Sequence, residues 1–178
     1  DELMAMWGAP ANQPDHADRA CQAALDMLAQ IIPLGEKWRD VVPNRFGFGI
    51  GINSGLASVG NTGSKKKFKY GPLGNTVNVA SRVQGVTKQI GVPGLITGDT
   101  LAAVQSQGYQ TRRLTRARVV GIEKGVDLYQ LCESPDDRDL CQRYEQALTA
   151  FEARDLKTAA GSLASLVQDY PEDRPTII

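Results

Sequence analysis

Apolar residues recur with helical spacing in some segments of the chain and with strand-like spacing in others, which predicts an alternation of helices and strands. The first helix is expected to open at Pro14 or Asp15 and to have Pro33 near its end. Its apolar positions keep a period of 3.6 residues: Ala17, Ala20, Cys21, Ala24, Leu25, Leu28 and Ile31. A later helix carries the apolar stripe of Val79, Val83 and Val86. Another is capped by Asp99, or begins there, and runs to Val104.

Shorter apolar runs bounded by turn residues predict strands. These runs are Glu2–Trp7, the stretch after Pro43, Gly94–Thr97, Tyr109–Leu114, Ala117–Val120 and Val126–Leu131. In the second run, Gly47, Gly49 and Gly51 alternate with phenylalanine and isoleucine, so one face of the strand has no side chains. We expect a ligand or another backbone to approach that bare face, unless the glycines mark a bulge or bend. The element order indicates an α+β or α/β sandwich.

The last part of the chain has a different pattern, separated from the first by a polar linker at residues 134–138. Residues 139–178 contain two helical stripes joined by a turn at Arg154 and Asp155. The stripes are Leu140, Tyr144, Ala147, Leu148 and Phe151, then Leu156, Ala159, Ala160, Leu163, Leu166 and Val167. This helical hairpin has the size of one tetratricopeptide-like unit. Because one such unit cannot bury its own face, it must dock on the main domain, on a partner or on further repeats.

Composition narrows the function classes. Of the 178 residues, 42% are hydrophobic and 22% charged, and the 20 basic and 20 acidic residues balance, so no overall field favours nucleic acid or an anionic membrane. No apolar run approaches the ~18 residues of a membrane span. Three cysteines without metal-like spacing and one histidine, His16, argue against a zinc site. We expect the cysteines to be buried thiols in a reducing cytoplasm.

The most informative polar residues lie between Lys65 and Arg82, where a basic run passes through a Gly-Pro turn into a helix. Asn78 and Arg82 are one helical turn apart and can reach one ligand together. An amide beside a guanidinium suits a sugar and a phosphate. Taken alone, the pair could equally be a helix-terminus hydrogen bonder and a surface arginine. Likewise, Lys65, Lys66, Lys67 and Lys69 are either a solvated hairpin tip or an attraction for a polyanion.

Three blocks, DELMAMWGAP, FGIGINSGLASVGNTGS and YGPLGNTVNVASR, together resemble the catalytic domain of class III nucleotidyl cyclases. The resemblance covers residues 1–133. It implies an α+β, ferredoxin-like sandwich with a central, mostly antiparallel sheet and flanking helices. It also implies conversion of ATP to cyclic AMP and pyrophosphate at the interface of a head-to-tail homodimer, assisted by two Mg²⁺ or Mn²⁺ ions. The parent would be a bacterial multidomain signalling protein with a cytoplasmic catalytic domain, whether or not it is membrane-tethered.

The resemblance also implies a role for each matched residue. Arg82 would stabilise charge that develops on the phosphoryl oxygens, Asn78 would orient the ribose, and Asp1 would be the second of two metal-binding aspartates. Gly71 falls at the purine-reading position, where a side chain is usual, and Leu73 joins it in the substrate-binding set. A lysine that often contacts the triphosphate is replaced by Val120, and either Arg118 or Lys124 would substitute for it.

Several alternatives stay open at this stage. The domain could be a guanylate cyclase, a degenerate homology domain that binds nucleotide or dimerises without turnover, or mainly a protein-interaction module built on the helical tail. The missing initiator methionine suggests a piece of a longer protein that lacks the first strand and the first metal aspartate. We therefore expect these residues alone to be inactive.

Overall fold

The computed structural model describes residues 2–42, 46–64, 67–106, 108–118, 125–132 and 137–177. Within these ranges the helices are α1 His16–Leu28, α2 Ile31–Lys37, α3 Asn75–Ile90, α4 Gly98–Ala103, α5 Arg138–Glu152, α6 Leu156–Asp169 and α7 Arg174–Ile177. The strands are β1 Ile50–Ile52, β2 Ser58–Ser64, β3 Lys67–Leu73, β4 Gly94–Thr97, β5 Thr111–Ala117 and β6 Val126–Leu131.

Four of the strands form one mixed sheet in the order β1-β4-β6-β5, while β2 and β3 form a separate antiparallel hairpin. β1 runs parallel to β4, and β6 runs antiparallel to both β4 and β5. The carboxyl ends of β1, β4 and β5 therefore share one edge of the sheet, which we call the carboxyl edge. The predicted α+β class, with a mostly antiparallel sheet and flanking helices, is confirmed.

The sheet is covered by a helix on each face. Consecutive residues of β4 point to opposite sides of the sheet, and each packs against a different helix. Leu95 packs with Val79 and Val83 of α3, whereas Ile96 packs with Cys21 and Ala24 of α1. All four residues of β4 are buried, so this strand is the centre of the core. The valine stripe and the α1 stripe predicted from the sequence are the two helix faces that cover the sheet.

The bare glycine face of the strand proves to be a docking surface for the backbone of α3. A Cβ atom on Gly51 would lie 2.2 Å from the backbone nitrogen of Gln84 and 2.6 Å from the carbonyl oxygen of Ala80. A Cβ atom on Gly49 would lie 2.1 Å from Oγ1 of Thr87. Of the alternatives left open by the sequence, close approach of another backbone is therefore the correct one, and α3 sits directly on β1.

The C-terminal helices dock on the main domain at β5, the edge strand of the sheet. Arg112, only 1% exposed, pairs with Asp173 at 2.8 Å, and its guanidinium stacks over the Tyr144 ring at 4.8 Å from the centroid. On the next residue of β5, Arg113 forms an exposed pair with Glu152 at 2.8 Å. The two predicted tail helices are present as α5 and α6, and their tetratricopeptide-like character stays a prediction.

Several local predictions need correction. Residues 2–6 form no strand and Leu3 is 84% exposed, because these residues pair with no strand in the described part of the chain and an apolar run by itself does not make a strand. The cap of α4 is Thr97, whose Oγ1 accepts from the backbone of Thr100, and not Asp99. The expected Gly-Pro turn is instead part of β3, since Pro72 pairs with Val59.

Two more differences concern the end of the main domain. Ala117 closes β5 and does not open a new strand, while residues 119–124 lie outside the described ranges. Most of the predicted linker, residues 134–136, also lies outside them, and the boundary stays a prediction. The three cysteines are free and buried, as expected.

Candidate functional site

The amino end of α3 is fixed by hydrogen bonds from the loop that follows β1. Gly74, with φ of 139°, turns the chain into the helix in a backbone conformation that favours glycine. Oγ1 of Thr76 then donates to the carbonyl of Leu56 at 2.6 Å. Nδ2 of Asn53 donates to the carbonyl of Thr76 at 3.0 Å. The first turn of α3 is thus held against the carboxyl end of β1.

A second set of hydrogen bonds links that loop to β4 and α4. Oγ1 of Thr97 donates to Oδ1 of Asn53 at 2.8 Å, and Oγ1 of Thr100 donates to the carbonyl of Ile52 at 3.3 Å. The side chains of Thr97 and Thr100 are buried. Sequence reasoning missed these positioning residues. Their only signal was a short polar residue, Asn53, directly after the glycine-rich strand.

Asn78 and Arg82 lie on the exposed face of α3. Residues two positions apart on a helix point about 200° apart, so both side chains lie opposite Ala80, whose backbone rests on β1. Neither side chain makes a hydrogen bond or an ion pair with any residue that the structure describes. The scaffold therefore presents an amide and a guanidinium one turn apart, with their hydrogen-bonding groups available to a ligand.

Gly71 and Leu73 belong to β3, which leads directly into α3, so the structure brings them into one continuous segment with Asn78. Gly71 pairs with Gly60 of β2, and a Cβ atom at Gly71 would meet only Cε of Met4, at 4.0 Å. Nothing in the backbone therefore requires glycine at position 71. Leu73, the last residue of β3, is 55% exposed.

Arg118 follows the last residue of β5 and is exposed at the carboxyl edge. It shares that edge with the amino end of α3 but is three strand positions away from β1, about 14 Å at the ordinary spacing between strands. Arg118 and Arg82 could approach different parts of one long polyanion. Val120, which stands at the family's lysine position, and Lys124, the other residue predicted to substitute for that lysine, lie outside the described residues.

The predicted metal site has no counterpart in the described part of the chain. Within residues 2–42, 46–64, 67–106, 108–118, 125–132 and 137–177, no group of three or more His, Cys, Asp or Glu side chains could hold an ion. Asp1 lies outside these ranges. The described ranges thus hold no cluster of three such side chains for Mg²⁺ or Mn²⁺.

Several nucleotide cyclases are among the solved structures with a similar fold. The crystal structure of the guanylyl cyclase Cya2 superposes with a TM-score of 0.60 at 28% identity, covering 74% of this chain and 68% of that one. The adenylyl cyclase CyaB from P. aeruginosa also superposes with a TM-score of 0.60, at 24% identity and over 74% of this chain and 67% of that one, which supports the fold alone. The family model of the adenylate and guanylate cyclase catalytic domain matches residues 1–133, and the chain belongs to this family.

Relatives of both kinds are similar in sequence. Adenylate cyclase 1 of Rhizobium meliloti (strain 1021) is 33% identical over 131 residues, covering 74% of this chain and 20% of the relative. Soluble guanylate cyclase 89Db of Drosophila melanogaster is 32% identical over 136 residues, covering 75% of this chain and 18% of the relative. The chain thus spans a fifth or less of the length of these relatives. In the described part of the chain, no helix is both long enough and apolar enough to cross a membrane.

Proposed function

We propose that the protein is an adenylate cyclase that converts ATP to 3′,5′-cyclic AMP and pyrophosphate in the cytoplasm. The observation that carries the proposal is the exposed pair Asn78 and Arg82 on α3, a helix that packs closely on β1, in a chain of the cyclase family. An adenylate cyclase and a guanylate cyclase are almost equally similar to the chain, at 33% and 32% identity, so the choice of ATP rests on the overall resemblance of the sequence blocks.

Cyclisation of ATP requires stabilisation of negative charge on the phosphates and positioning of the ribose hydroxyl. When the ribose 3′-oxygen attacks the α-phosphorus, the bond to the bridging oxygen of pyrophosphate breaks, and negative charge grows on the phosphoryl oxygens. Arg82 would stabilise that negative charge, because a guanidinium presents several hydrogen-bond donors in a planar fork that a lysine lacks. Asn78 would hydrogen-bond the ribose and hold its hydroxyl in line. Arg118 would contact the terminal phosphates from the far side of the carboxyl edge.

The active site would form between two copies of the chain. The β2–β3 hairpin and the loop before it expose large apolar side chains, namely Leu56, Phe68, Tyr70 and Leu73. Exposed apolar groups in such a cluster are typical of protein interfaces. This cluster supports a homodimer, and Asp1 of one protomer would then serve the site that contains the other protomer's Arg82. Asp1 as a ligand to Mg²⁺ or Mn²⁺ stays a prediction.

The test is production of cyclic AMP by the full-length protein supplied with ATP and Mn²⁺. We expect Arg82→Ala to lower turnover at least about a hundredfold, which is the scale of losing one donor to a transition-state charge. Lys88→Ala is the matched control, since Lys88 is an exposed basic residue in the last turn of the same helix. Full activity in Arg82→Ala, with the control also active, would exclude the catalytic role of Arg82.

A complementation experiment tests the shared site separately. Asp1→Ala and Arg82→Ala proteins are each expected to be nearly inactive, whereas a mixture contains heterodimers with one intact site. Partial recovery of cyclic AMP formation in the mixture supports the proposal. If heterodimers form, as measured with two different affinity tags, and activity stays at the level of the single variants, the site is not shared.

One observation favours a second candidate function. Gly71 has no side chain to read the purine, so the domain could bind nucleotides of either base and regulate a partner without turnover. Binding of ATP and GTP with equal affinity, together with no cyclic product from either nucleotide, would favour this regulator over the enzyme.

A further inference from the structure

Two cysteines meet where the main domain joins the helical tail. Cys132 directly follows β6 and Cys141 lies in the first turns of α5, and their Sγ atoms are 3.3 Å apart. Their side chains are almost completely buried. The backbone N–H of Cys132 donates to the carbonyl of Gln110 at 3.0 Å, which fixes this cysteine to the strand side of the junction. One sulfur therefore belongs to the sheet and the other to the tail.

The charge around the pair favours a thiolate at Cys141. The hydrogen bond from Cys132 and the nearby Arg112 guanidinium, working against burial, lower the pKa of the Cys141 thiol to about 7. The same hydrogen bond, together with burial, raises the pKa of Cys132. The third cysteine provides a contrast, because burial next to the carboxylate of Asp18 raises the pKa of Cys21 to about 11. Cys21 is an ordinary buried thiol, whereas Cys132 and Cys141 form a dithiol with one activated member.

We propose that Cys132 and Cys141 are a reversible disulfide site that bonds the helical tail to the sheet, with a low-molecular-weight disulfide such as oxidised glutathione as the oxidant. The Cys141 thiolate attacks one sulfur of the oxidant, and a glutathione thiolate leaves. Cys132 then attacks the Cys141 sulfur of the mixed disulfide and loses its proton, and the second glutathione leaves as a thiol. Two protein thiols are oxidised and one glutathione disulfide is reduced to two thiols.

The geometry of the junction is suited to this bond. A disulfide needs its sulfur atoms about 2.05 Å apart, so the two Sγ atoms must approach by a little more than an ångström. Only eight residues separate the two cysteines in the sequence. Because both thiols are buried, the first exchange requires a local opening of α5, and we expect oxidation over minutes to hours. Reduction by excess glutathione reverses it.

The experiment equilibrates the purified full chain with mixtures of reduced and oxidised glutathione, then blocks free thiols by alkylation and maps the peptides by mass spectrometry. We expect a cross-linked peptide pair containing Cys132 and Cys141 in the wild type and equally in Cys21→Ser. Neither Cys132→Ser nor Cys141→Ser should form it. The oxidised wild type should melt about 5 to 10 °C above the reduced form, as a closed loop of this size predicts, and Cys132→Ser should show no such shift.

Four results would overturn the proposal. Both thiols could stay free at every glutathione ratio, although they react fully in denaturant. They could stop at stable mixed disulfides with glutathione. They could also bridge only between two chains, as seen on a non-reducing gel. A cross-link within the chain that leaves the melting temperature unchanged would likewise contradict it, since the bond would then not fit the native junction.

Discussion

The contact between Gly51 and α3 leads to a sharp prediction, because this contact sets the position of the helix that carries Asn78 and Arg82. In Gly51→Ala, the new methyl group would lie 2.2 Å from a backbone nitrogen and 2.6 Å from a backbone oxygen of α3. Ordinary contacts begin at 3.4 Å. The helix must therefore retreat by about 1 Å along its middle turns, and backbone atoms cannot rotate aside as a flexible side chain can.

Overpacking of this kind costs about 1 to 3 kcal/mol where side chains can adjust. With backbone on both sides of the contact, we expect a loss of about 3 kcal/mol or more in the free energy of unfolding, or a fall of about 6 to 12 °C in Tm. Gly47→Ala is the matched control, since a Cβ atom there would have no neighbour within 4 Å. It should be neutral or stabilising by less than about 1 kcal/mol.

Urea unfolding of the wild type and the two variants measures the difference. Where Gly51→Ala still folds, cyclic AMP formation should fall in the full-length protein, because Asn78 and Arg82 move with the helix. Equal unfolding free energies for the two alanine variants would mean that α3 does not rest on the glycine face of β1.

The remaining predictions concern the tail, the base site and the loop before β5. Burial raises the pKa of Asp173, but hydrogen bonds from Arg112 and Thr176 outweigh it and leave the pKa below the ordinary 3.8. Stability from this carboxylate is therefore present above that value and lost as pH falls through the lower, folded-state pKa. Asp173→Asn should lower the free energy of unfolding in urea by about 3 kcal/mol at pH 7, and the free energy of unfolding of this variant should fall less steeply below about pH 4. Asp127→Asn, which removes one member of an exposed pair, should lower it by under about 0.5 kcal/mol. Gly71→Asp should fold normally and raise the ratio of ATP to GTP turnover at least about tenfold, because a carboxylate accepts from the adenine amino group and repels the guanine carbonyl oxygen; Gly60→Asp, equally open, should leave the ratio unchanged. Hydrogen bonds from Ser106 and the backbone of Gln105 lower the pKa of Asp18 to about 2. Hydrogen exchange at residues 105–106 should therefore accelerate relative to the rest of the chain as pH falls from about 4 to 2. An unchanged relative exchange rate over this pH range would contradict the contact.

Periodicity predicted α1 and α3 well because each covers one side of the sheet with a continuous apolar face. The first helix was predicted too long, however: α1 ends at Leu28, and Ile31 and Pro33 belong to the separate helix α2, which has no buried residue. The valines of α3 and the small residues of α1 are buried as their spacing requires. Strand predictions were weaker, since pairing depends on what lies alongside. Glu2–Trp7 has a strand-like composition and no partner in the described chain, while Ala117 extends β5 because β6 continues opposite it.

The candidate site was predicted unevenly for a similar reason. Asn78 and Arg82 could be placed on one helical face from their spacing alone, and the structure leaves that face exposed. The hydrogen bonds of Asn53 with Thr97 and Thr76 join residues far apart in the chain, and no local pattern encodes them. The same holds for the pair formed by Arg112 and Asp173, which depends on the packing of the tail against the sheet.

The pair formed by Arg112 and Asp173 limits which parts of the chain can be transferred to another protein separately. Asp173 lies forty residues beyond the end of the family match at residue 133, yet it neutralises a buried cation near the start of β5. A cyclase domain transferred to another protein without its tail would carry Arg112 with no anion, on an edge strand that is no longer covered. Exchange of domains at this boundary therefore requires either the tail to travel with the domain or position 112 to change. The helical tail and β5 therefore form one structural unit, although the family match ends at residue 133, before the tail begins.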